Sequence, residues 1–355
     1  MSMGESGIEY KKIEPMIVSY LRFNLKERAE ISVMFKQLAQ FIPQELVSGA
    51  PYCILQYFSS YPEGYEAEVG FPVKQPFENE RIKCKTSPAL ELLAIRHEGP
   101  PETLRETKLK LQKFTGGHCL ISDEFTREVY PDWDKPGGVI EAQFVIHNWN
   151  ALFASNLERV LGKEKRDQVM QGVEKIGLET PPEERFQWVR GAVERLEELA
   201  DDFQKYDVVS ACAHVYPPGQ LEKLRLVFEE ARASTCDAFE AVDAVLAFMA
   251  EDPGWGEKGA HREGRILYHT KNPADPEGYA RAKTAEEKRA AYCFCPIIRG
   301  NLDKGMPVSY CYCGSGWYRQ QWETATGKPM RVEVLESILK GNDVCRFAVH
   351  LAEDI

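Results

Sequence analysis

Residues 65–73 read YEAEVGFPV, and residues 139–149 read VIEAQFVIHNW. Both stretches alternate apolar side chains with acidic or polar ones, which is typical of a strand that has one buried face. In each stretch an acid, Glu68 or Glu141, stands three residues before a phenylalanine. The two stretches are therefore predicted to be equivalent strands whose acids lie on the face opposite the apolar core.

The residues before these two strands also repeat. An apolar strand (PMIVSYLRF), a helix and the strand PYCILQYFSS precede the first, and ALELLAIRHEGPP, a helix and EFTREVYPDW precede the second. The spacing of roughly 75 residues indicates an internal duplication. The predicted fold class is α+β: an N-terminal tandem βαββ pseudo-symmetric antiparallel sheet with two helices, then a mainly helical domain ending in a small cysteine-bearing β element. The predicted domains are residues 1–150 and 151–355.

The words AIRHEGPPETLRE, REVYPDW, EAEVGFPV and IEAQFVIH resemble the GyrI-like small-molecule-binding domain, the effector module of multidrug-sensing bacterial regulators. The resemblance covers residues 10–150. It implies that a ligand lies in a groove between the two repeats, against aromatic rings and a buried carboxylate. Those regulators carry a helix-turn-helix before this domain, whereas this sequence begins almost at once with the first strand, so we expect no direct contact with DNA.

The resemblance and the strand pattern together select the candidate ligand-binding residues. The matching acids are Glu68 and Glu141, which would attract a cationic or hydrogen-bond-donating ligand. The aromatic side chains near them would favour flat or cationic compounds, and the residues selected are Tyr57, Tyr65, Tyr130 and Trp133. His97, at a strand-to-helix corner, is interpreted as a structural histidine.

Three functions follow from this interpretation. The first is capture of an amphipathic aromatic ligand, either cationic or uncharged. The second is hydrolysis of a reactive electrophile, with Glu141 as general base and Tyr130 as hydrogen-bond donor. The third is an interaction scaffold that has no working groove.

The second half has helical apolar spacing up to about residue 250, followed by a Gly- and Pro-rich stretch predicted to be a long loop. Near its end the chain reads AYCFCPIIRG and SYCYCGSGWY. In extended segments a C-x-C pair places both sulfurs on one side, so Cys293, Cys295, Cys311 and Cys313 could hold one metal as zinc or an iron–sulfur cluster. Thiol chemistry and plain burial are the competing interpretations.

The last residues, MRVEVLESILKGNDVCRFAVHL, predict two strands joined through KGND. With CYCGSGW before them, they resemble the end of the four-vinyl-reductase-type and thiazoline-carboxylate hydrolase-like domains. In the first group, cysteines at such positions are associated with metal or small-molecule sensing. The resemblance places Cys345 beside Cys311 and Cys313 and adds it to the candidate metal ligands.

The composition of the chain limits the classes of partner that it is expected to bind. The chain has 355 residues and a net charge of −11, and both halves are acidic, so it lacks the basic field that binds a phosphate backbone. No signal peptide and no apolar run of membrane-spanning length is present. We expect a cytoplasmic protein with a small-molecule partner and neither nucleic acid nor membrane, and the sequence leaves homo-oligomerisation open.

Overall fold

A computed structural model describes residues 7–56, 65–118, 120–135, 138–178, 180–216, 219–235, 237–251, 255 and 259–355. The chain divides into two compact units. Unit 1 comprises Met1–Gly116 and Ser122–His147, and unit 2 comprises Gly117–Ile121 and Asn148–Ile355. The described residues contain no helix long and apolar enough to cross a bilayer.

Unit 1 consists of one eight-stranded antiparallel sheet and two long helices. Its elements in chain order are β1 (Ile8–Ile13), β2 (Met16–Leu25), α1 (Glu30–Phe41), β3 (Tyr52–Gln56), β4 (Tyr65–Val73), β5 (Lys83–Ser87), β6 (Leu90–His97), α2 (Leu104–Gly117), β7 (Ser122–Val129) and β8 (Ile140–Ile146). The strand order is β1-β6-β8-β7-β3-β4-β2-β5. Adding four to each strand number reverses this order, so the two repeats are related by a pseudo-twofold axis between β3 and β7.

The repeat is one strand longer than the sequence predicted. Each repeat begins with an extra strand, β1 or β5, and this strand pairs with the other repeat: β1 with β6, and β5 with β2. Both are edge strands, and both carry lysines, which protect an exposed sheet edge from further pairing. Their charged character hides them from a search for alternating apolar residues. The predicted α+β class is confirmed, and the predicted βαββ repeat becomes ββαββ.

The helix-covered side of this sheet holds the core of unit 1. Phe35 and Leu38 of α1 are fully buried against Val69 and Phe71 of β4. The apolar residues of the first quoted stretch thus face the helices, as the alternation predicted. We call this side the helix face and the opposite side, which carries Glu68 and Glu141, the acid face.

Unit 2 combines helices with a small sheet. Its helices are α3 (Trp149–Leu161), α4 (Lys163–Val169), α5 (Pro182–Leu199), α6 (Asp202–Ser210), α7 (Gln220–Ser234), α8 (Ala238–Glu251), α9 (Pro276–Arg281), α10 (Ala285–Tyr292), α11 (Pro296–Arg299) and α12 (Tyr312–Thr326). Its strands are β9 (His261–Glu263), β10 (Ile266–Thr270), β11 (Arg331–Glu336) and β12 (Arg346–His350), in the order β11-β12-β10-β9.

The predicted C-terminal hairpin is present, since β11 and β12 pair in antiparallel fashion. The stretch predicted to be a long loop instead contributes β9 and β10, which form the rest of the same sheet. Leu267 and His269 of β10 are fully buried. The strand is short and surrounded by Gly, Pro and charged residues, which explains why the composition of the stretch indicated a loop.

Candidate functional site

Glu68 lies on the acid face and is only 5% exposed. Two cations, from β5 and β2, lie beside its carboxylate: Lys85 Nζ at 2.5 Å from Oε1 and Arg22 Nε at 3.2 Å from Oε2. The Tyr52 hydroxyl donates to Oε1 at 3.4 Å. A buried carboxylate needs such partners to remain ionised. The positive charges of Lys85 and Arg22 therefore already balance the charge of the Glu68 carboxylate.

Glu141 occupies the equivalent place in the second repeat. Lys11 Nζ lies 2.6 Å from its Oε2, and the Gln143 amide donates to its Oε1 at 2.6 Å. Lys11 and Lys85 come from the two exchanged edge strands, β1 and β5, so the two acids have the same kind of partner. The exchange of edge strands thus delivers one lysine to each acid.

A buried arginine joins the two halves of the acid face. Arg127 is 5% exposed, donates to Gln143 Oε1 at 3.2 Å, and lies 4.4 Å from the ring centroid of Tyr52. Through Gln143 it connects to Glu141, and through Tyr52 to Glu68. Burial lowers the pKa of Arg127, and the nearby Tyr52 and Glu141 act in the opposite direction. On the acid face, Glu68 and Glu141 therefore each have a basic partner and are connected through Arg127.

A third acid lies on the helix face, where the sequence analysis placed none. Glu128 of β7 pairs with Cys53 of β3, and Cys53 in turn pairs with Val69, so all three share the helix face. β3 and β7 are the central strands where the two repeats meet. The Glu128 side chain is 0% exposed. Among the described residues, Glu128 is thus a buried carboxylate on a strand next to the pseudo-twofold axis.

Two cations reach Glu128 from the two sides. Arg28, in the loop before α1, forms an ion pair with its Oε2, and Lys108 of α2 lies 2.5 Å from its Oε1. Lys108 also donates to Thr126 Oγ1 at 3.0 Å. The Arg28 and Lys108 side chains keep 25% and 21% exposure. Both side chains are therefore partly accessible to solvent.

The charge state of Glu128 follows from these contacts. Burial alone raises the pKa of the carboxyl, but Lys108 and Arg28 outweigh burial and bring the pKa down to about 2. The carboxylate is therefore ionised at neutral pH. Burial and the Glu128 charge together raise the pKa of Tyr130 well above its usual value, so its hydroxyl stays protonated and donates to Glu128 Oε2 at 2.6 Å.

Aromatic rings pack beside this carboxylate. The ring centroids of Phe35 and Tyr130 lie 5.1 Å apart, those of Phe71 and Trp133 5.5 Å apart, and those of Phe35 and Trp133 6.4 Å apart, all edge to face. Tyr130 and Trp133 are only partly buried. An anion beside partly accessible rings is suited to an aromatic cation, which can pair with the charge and stack on the rings.

The structure divides the candidates named from the sequence. Glu68 and Glu141 lie on the acid face, while Tyr130 and Trp133 lie on the helix face with Glu128. The Glu141–Tyr130 pair named for hydrolysis is therefore separated, because Tyr130 follows β7 on the side of Phe35. Tyr57 lies outside the described residues, and Tyr65 is described only in its backbone, as the first residue of β4.

The sequence did contain a signal for Glu128. Side chains alternate along β7, so Thr126, Glu128 and the following Tyr130 share one side. Tyr130 was already a candidate, and the acid two residues before it falls on the same face. What the sequence could not show is that this face lies under both helices.

His97 has the structural role predicted for it. It is 5% exposed, and its ring nitrogens contact Thr107 Oγ1 at 2.9 Å and the Pro100 carbonyl oxygen at 3.0 Å. Both nitrogens are thus occupied, and the histidine ties the end of β6 to α2.

The two C-x-C pairs differ in backbone conformation: Cys293 and Cys295 lie in the extended connection between α10 and α11, whereas Cys311 and Cys313 are helical. Cys293 directly follows α10, Cys295 directly precedes α11, Cys311 lies in the 3₁₀ helix Val308–Cys311, and Cys313 lies in the first turn of α12. The prediction of an extended pair therefore holds for Cys293 and Cys295 and is wrong for Cys311 and Cys313. Pro296 directly after Cys295 favours a helix start, and the buried Tyr318, Trp322 and Ala325 give α12 a helical apolar stripe.

The five candidate metal ligands nevertheless influence one another. Burial raises the pKa of Cys293, with further contributions from Cys295, Cys345 and Cys311, and burial likewise raises the pKa of Cys313, with contributions from Cys295 and Cys311. Burial also raises the pKa of Cys311 to about 12. Among the residues that the structure describes, no group of three or more His, Cys, Asp or Glu side chains is arranged to hold a metal ion. The eight described cysteines are free thiols.

Comparison with known proteins gives matches to solved structures alone. No protein-family model and no curated protein matches the chain. EcmrR in a complex with DNA is 23% identical, with 39% of this chain and 56% of that chain covered and a TM-score of 0.35. A hydrolase from Listeria innocua is 10% identical over 40% of this chain and 92% of that chain, with a TM-score of 0.30. SAV2435 bound to tetraphenylphosphonium is 8% identical over 41% of this chain and 96% of that chain, with a TM-score of 0.30.

Proposed function

We propose that this protein binds an amphipathic aromatic cation on the helix face of unit 1, above Glu128. The observation that carries the proposal is a fully buried carboxylate at the junction of the two repeats, with partly accessible aromatic rings beside it. The proposal keeps the kind of site that the sequence analysis expected, an acid among aromatic rings between two repeats. It replaces Glu68 and Glu141 by Glu128 as the acid that meets the ligand.

The charges explain how a ligand could enter. In the free protein, Arg28 and Lys108 neutralise Glu128 from two sides. A cationic ligand takes over this neutralisation, and one or both side chains move out to water, where an arginine or lysine is well solvated. Glu128 thus never remains buried without a counter-charge. Glu68 on the acid face also has partly exposed cations, Lys85 at 26% and Arg22 at 32%, and the half-buried Tyr20 ring lies 4.5 Å from Lys85 Nζ. Glu128 differs in its place, because it lies on a strand where the two repeats meet, whereas Glu68 lies on β4.

The aromatic rings add the selection for a flat or aromatic body. A cation that is desolvated over a ring face gains about 2 kcal/mol or more, and apolar area gains about 25 cal/mol per Å² buried. Tyr130 and Trp133 can supply both contributions. The hydrogen bond that the Tyr130 hydroxyl donates to Glu128 also holds the Tyr130 ring next to the carboxylate.

Hydrolysis is less well supported. A general base works best with a pKa near the operating pH, whereas the cations beside Glu128 hold the pKa of this acid at about 2. The pair first considered, Glu141 and Tyr130, is divided between two faces of the sheet. Metal binding at the cysteines of unit 2 stays a prediction, which elemental analysis for zinc and iron would test. Thiol chemistry at these cysteines also stays a prediction, which the thiol titration described in the Discussion would test.

The test is a calorimetric titration with tetraphenylphosphonium, a lipophilic aromatic cation. We expect the natural protein to bind it and Glu128→Gln to lose at least tenfold in affinity, because the isosteric amide removes the charge. Glu141→Gln is the matched control: it removes an acid of the other face and should leave affinity within about twofold. Loss of binding in Glu141→Gln with retention in Glu128→Gln would overturn the assignment.

A second variant keeps the test informative if Glu128→Gln folds poorly. Arg28→Met removes one of the two cations with which the ligand competes for Glu128. We expect tetraphenylphosphonium to bind more tightly to this variant, by about threefold or more. Unchanged affinity in Arg28→Met would contradict displacement of Arg28 by the ligand.

A further inference from the structure

Unit 2 contains a lysine surrounded by aromatic rings. Lys271 directly follows β10, and its Nζ lies 5.4 Å from the ring centroid of Phe294, 6.0 Å from Trp317, 5.9 Å from Tyr318 and 5.8 Å from Phe347. The rings come from three separate segments: the α10–α11 connection, α12 and β12. A cation near several ring faces is attracted by each of them.

Among the residues that the structure describes, the ammonium group of Lys271 has no anionic partner. Within the described part of the chain, no carboxylate forms an ion pair with its Nζ, and no acceptor forms a hydrogen bond with it. Other partly buried cations of unit 2 differ: Lys205 pairs with Glu197 at 2.7 Å, and Arg319 with Glu323 at 2.9 Å. An ammonium carries three donors, and ring faces do not replace oxygen acceptors for all of them.

The position of this lysine is fixed by its backbone. Its N–H donates to the Cys345 carbonyl at 3.1 Å, and its carbonyl oxygen accepts from the Tyr292 hydroxyl. Gly314 of α12 leaves room beside it: a Cβ there would lie 2.9 Å from the Phe347 ring and 4.0 Å from Lys271 Nζ. A side chain at position 314 would therefore crowd the Phe347 ring and contact the ammonium group.

The thiols near Lys271 do not supply the missing negative charge. Lys271 acts to lower the pKa of Cys311, Cys313 and Cys345, but burial dominates and raises the pKa of each. They are therefore neutral at physiological pH and form soft, weakly polar walls. All three are half-buried, and Phe294 is 40% exposed, so solvent reaches this cluster.

From these observations we propose that Lys271 is the anchor of a second ligand site, which takes an aromatic carboxylate. The carboxylate pairs with the ammonium and accepts its free hydrogens, and the aromatic body packs on Phe294 and Trp317. A small inorganic anion fits less well, because one cation among thiols and rings offers too few donors to replace its hydration shell. The site is distinct in residues and in charge from the one proposed above Glu128.

The experiment is a titration of the full chain with naphthalene-2-carboxylate, followed by calorimetry and by ligand-observed NMR. We expect saturable binding that falls at least tenfold in Lys271→Met, which keeps an unbranched side chain but removes the charge. Lys288→Met is the matched control, because Lys288 Nζ also lies near a ring, 6.0 Å from Tyr279, but on the exposed surface. This control should bind like the natural protein.

A second measurement needs no variant. Naphthalene-2-carboxamide has the same shape without the charge, and we expect the natural protein to bind it at least tenfold more weakly than the carboxylate. Absence of carboxylate binding, equal binding of acid and amide, or unchanged affinity in a folded Lys271→Met would each overturn the proposal. Because Glu128 belongs to unit 1 and is not one of the residues of this site, Glu128→Gln should not change this affinity, which separates the result from the test in unit 1.

Discussion

The charge of Glu128 depends on two competing effects that act on a single side chain. Full burial opposes ionisation, and the Lys108 and Arg28 cations favour it, with a net pKa of about 2. Removing one partner of a buried ion pair typically costs about 3–5 kcal/mol, because the remaining charges stay buried without compensation. The same cations that stabilise the free protein are those that a cationic ligand must replace, so stability and binding are coupled at this residue.

This pKa predicts a window of acid sensitivity. The folded-state pKa of Glu128 lies below its ordinary value of 4.5. Its contribution to stability is therefore complete above about pH 4.5 and is lost as pH falls from there toward 2. Urea unfolding at several pH values should show the natural protein losing more stability across this window than Glu128→Gln does. Parallel losses in the two proteins would contradict the assigned pKa.

Which acid is buried could be predicted from the sequence only in part. The alternation in YEAEVGFPV placed Glu68 opposite Val69 and Phe71 correctly, and the repeat placed Glu141 in the same way. Alternation alone does not tell which face the helices cover at the centre of the sheet. That depends on the pairing of β3 with β7, a contact between residues more than seventy positions apart. Glu128 was missed for this reason.

At the scale of elements, α12 approaches the end of α6 most closely at Gly316, where an added Cβ would have the shortest contact found at any described glycine. A Cβ on Gly316 would lie 1.8 Å from the Ser210 carbonyl oxygen and 2.7 Å from Ala213 Cβ. The end of α6 can therefore approach α12 this closely only because residue 316 has no side chain. The sequence showed the glycine in CYCGSGWY but not the helix that packs on it.

This contact predicts the effect of a single methyl group. Gly316→Ala forces α12 and α6 apart, and overpacking of this kind costs about 1–3 kcal/mol or more. Gly300→Ala is the control, because a Cβ there meets nothing within 4 Å. Thermal unfolding should show a clearly lower midpoint for Gly316→Ala and a nearly unchanged one for Gly300→Ala. Equal midpoints would contradict the packing described.

The burial of the C-terminal cysteines predicts low thiol reactivity. Burial raises the pKa of Cys293, Cys295, Cys311, Cys313 and Cys345 above the ordinary thiol value of 9.0. The thiolate is the reactive form. In a titration with Ellman's reagent at pH 8, these five thiols should react far more slowly in the native protein than in the denatured one. Rapid reaction of the native thiols would favour thiol chemistry instead.

For the whole molecule, the fold could be predicted from the sequence in the part of the chain that contains the internal repeat. Unit 1 was recognisable because its two halves carry the same pattern, whereas the helices of unit 2 could be predicted but not their arrangement. The contact between the Lys271 cation and the rings of Phe294, Trp317 and Phe347 joins residues far apart in the sequence. No local pattern marks such a contact.

The net charge of −11 predicts that this chain does not bind DNA. Affinity for a duplex comes largely from cations that neutralise phosphates, and both halves of this chain are acidic. Fluorescence anisotropy with a labelled 30-base-pair duplex at about 0.1 M salt should show no binding at micromolar protein. Submicromolar binding would contradict this expectation.

The central claim is that Glu128, and not Glu68 or Glu141, is the acid that meets a ligand. A crystal structure of the chain with tetraphenylphosphonium tests it most directly. The account predicts the phosphonium on the helix face, against Tyr130 and Trp133, with Arg28 or Lys108 turned away from Glu128. A phosphonium bound beside Glu141 or Glu68 on the acid face, with the Glu128 ion pairs intact, would contradict it.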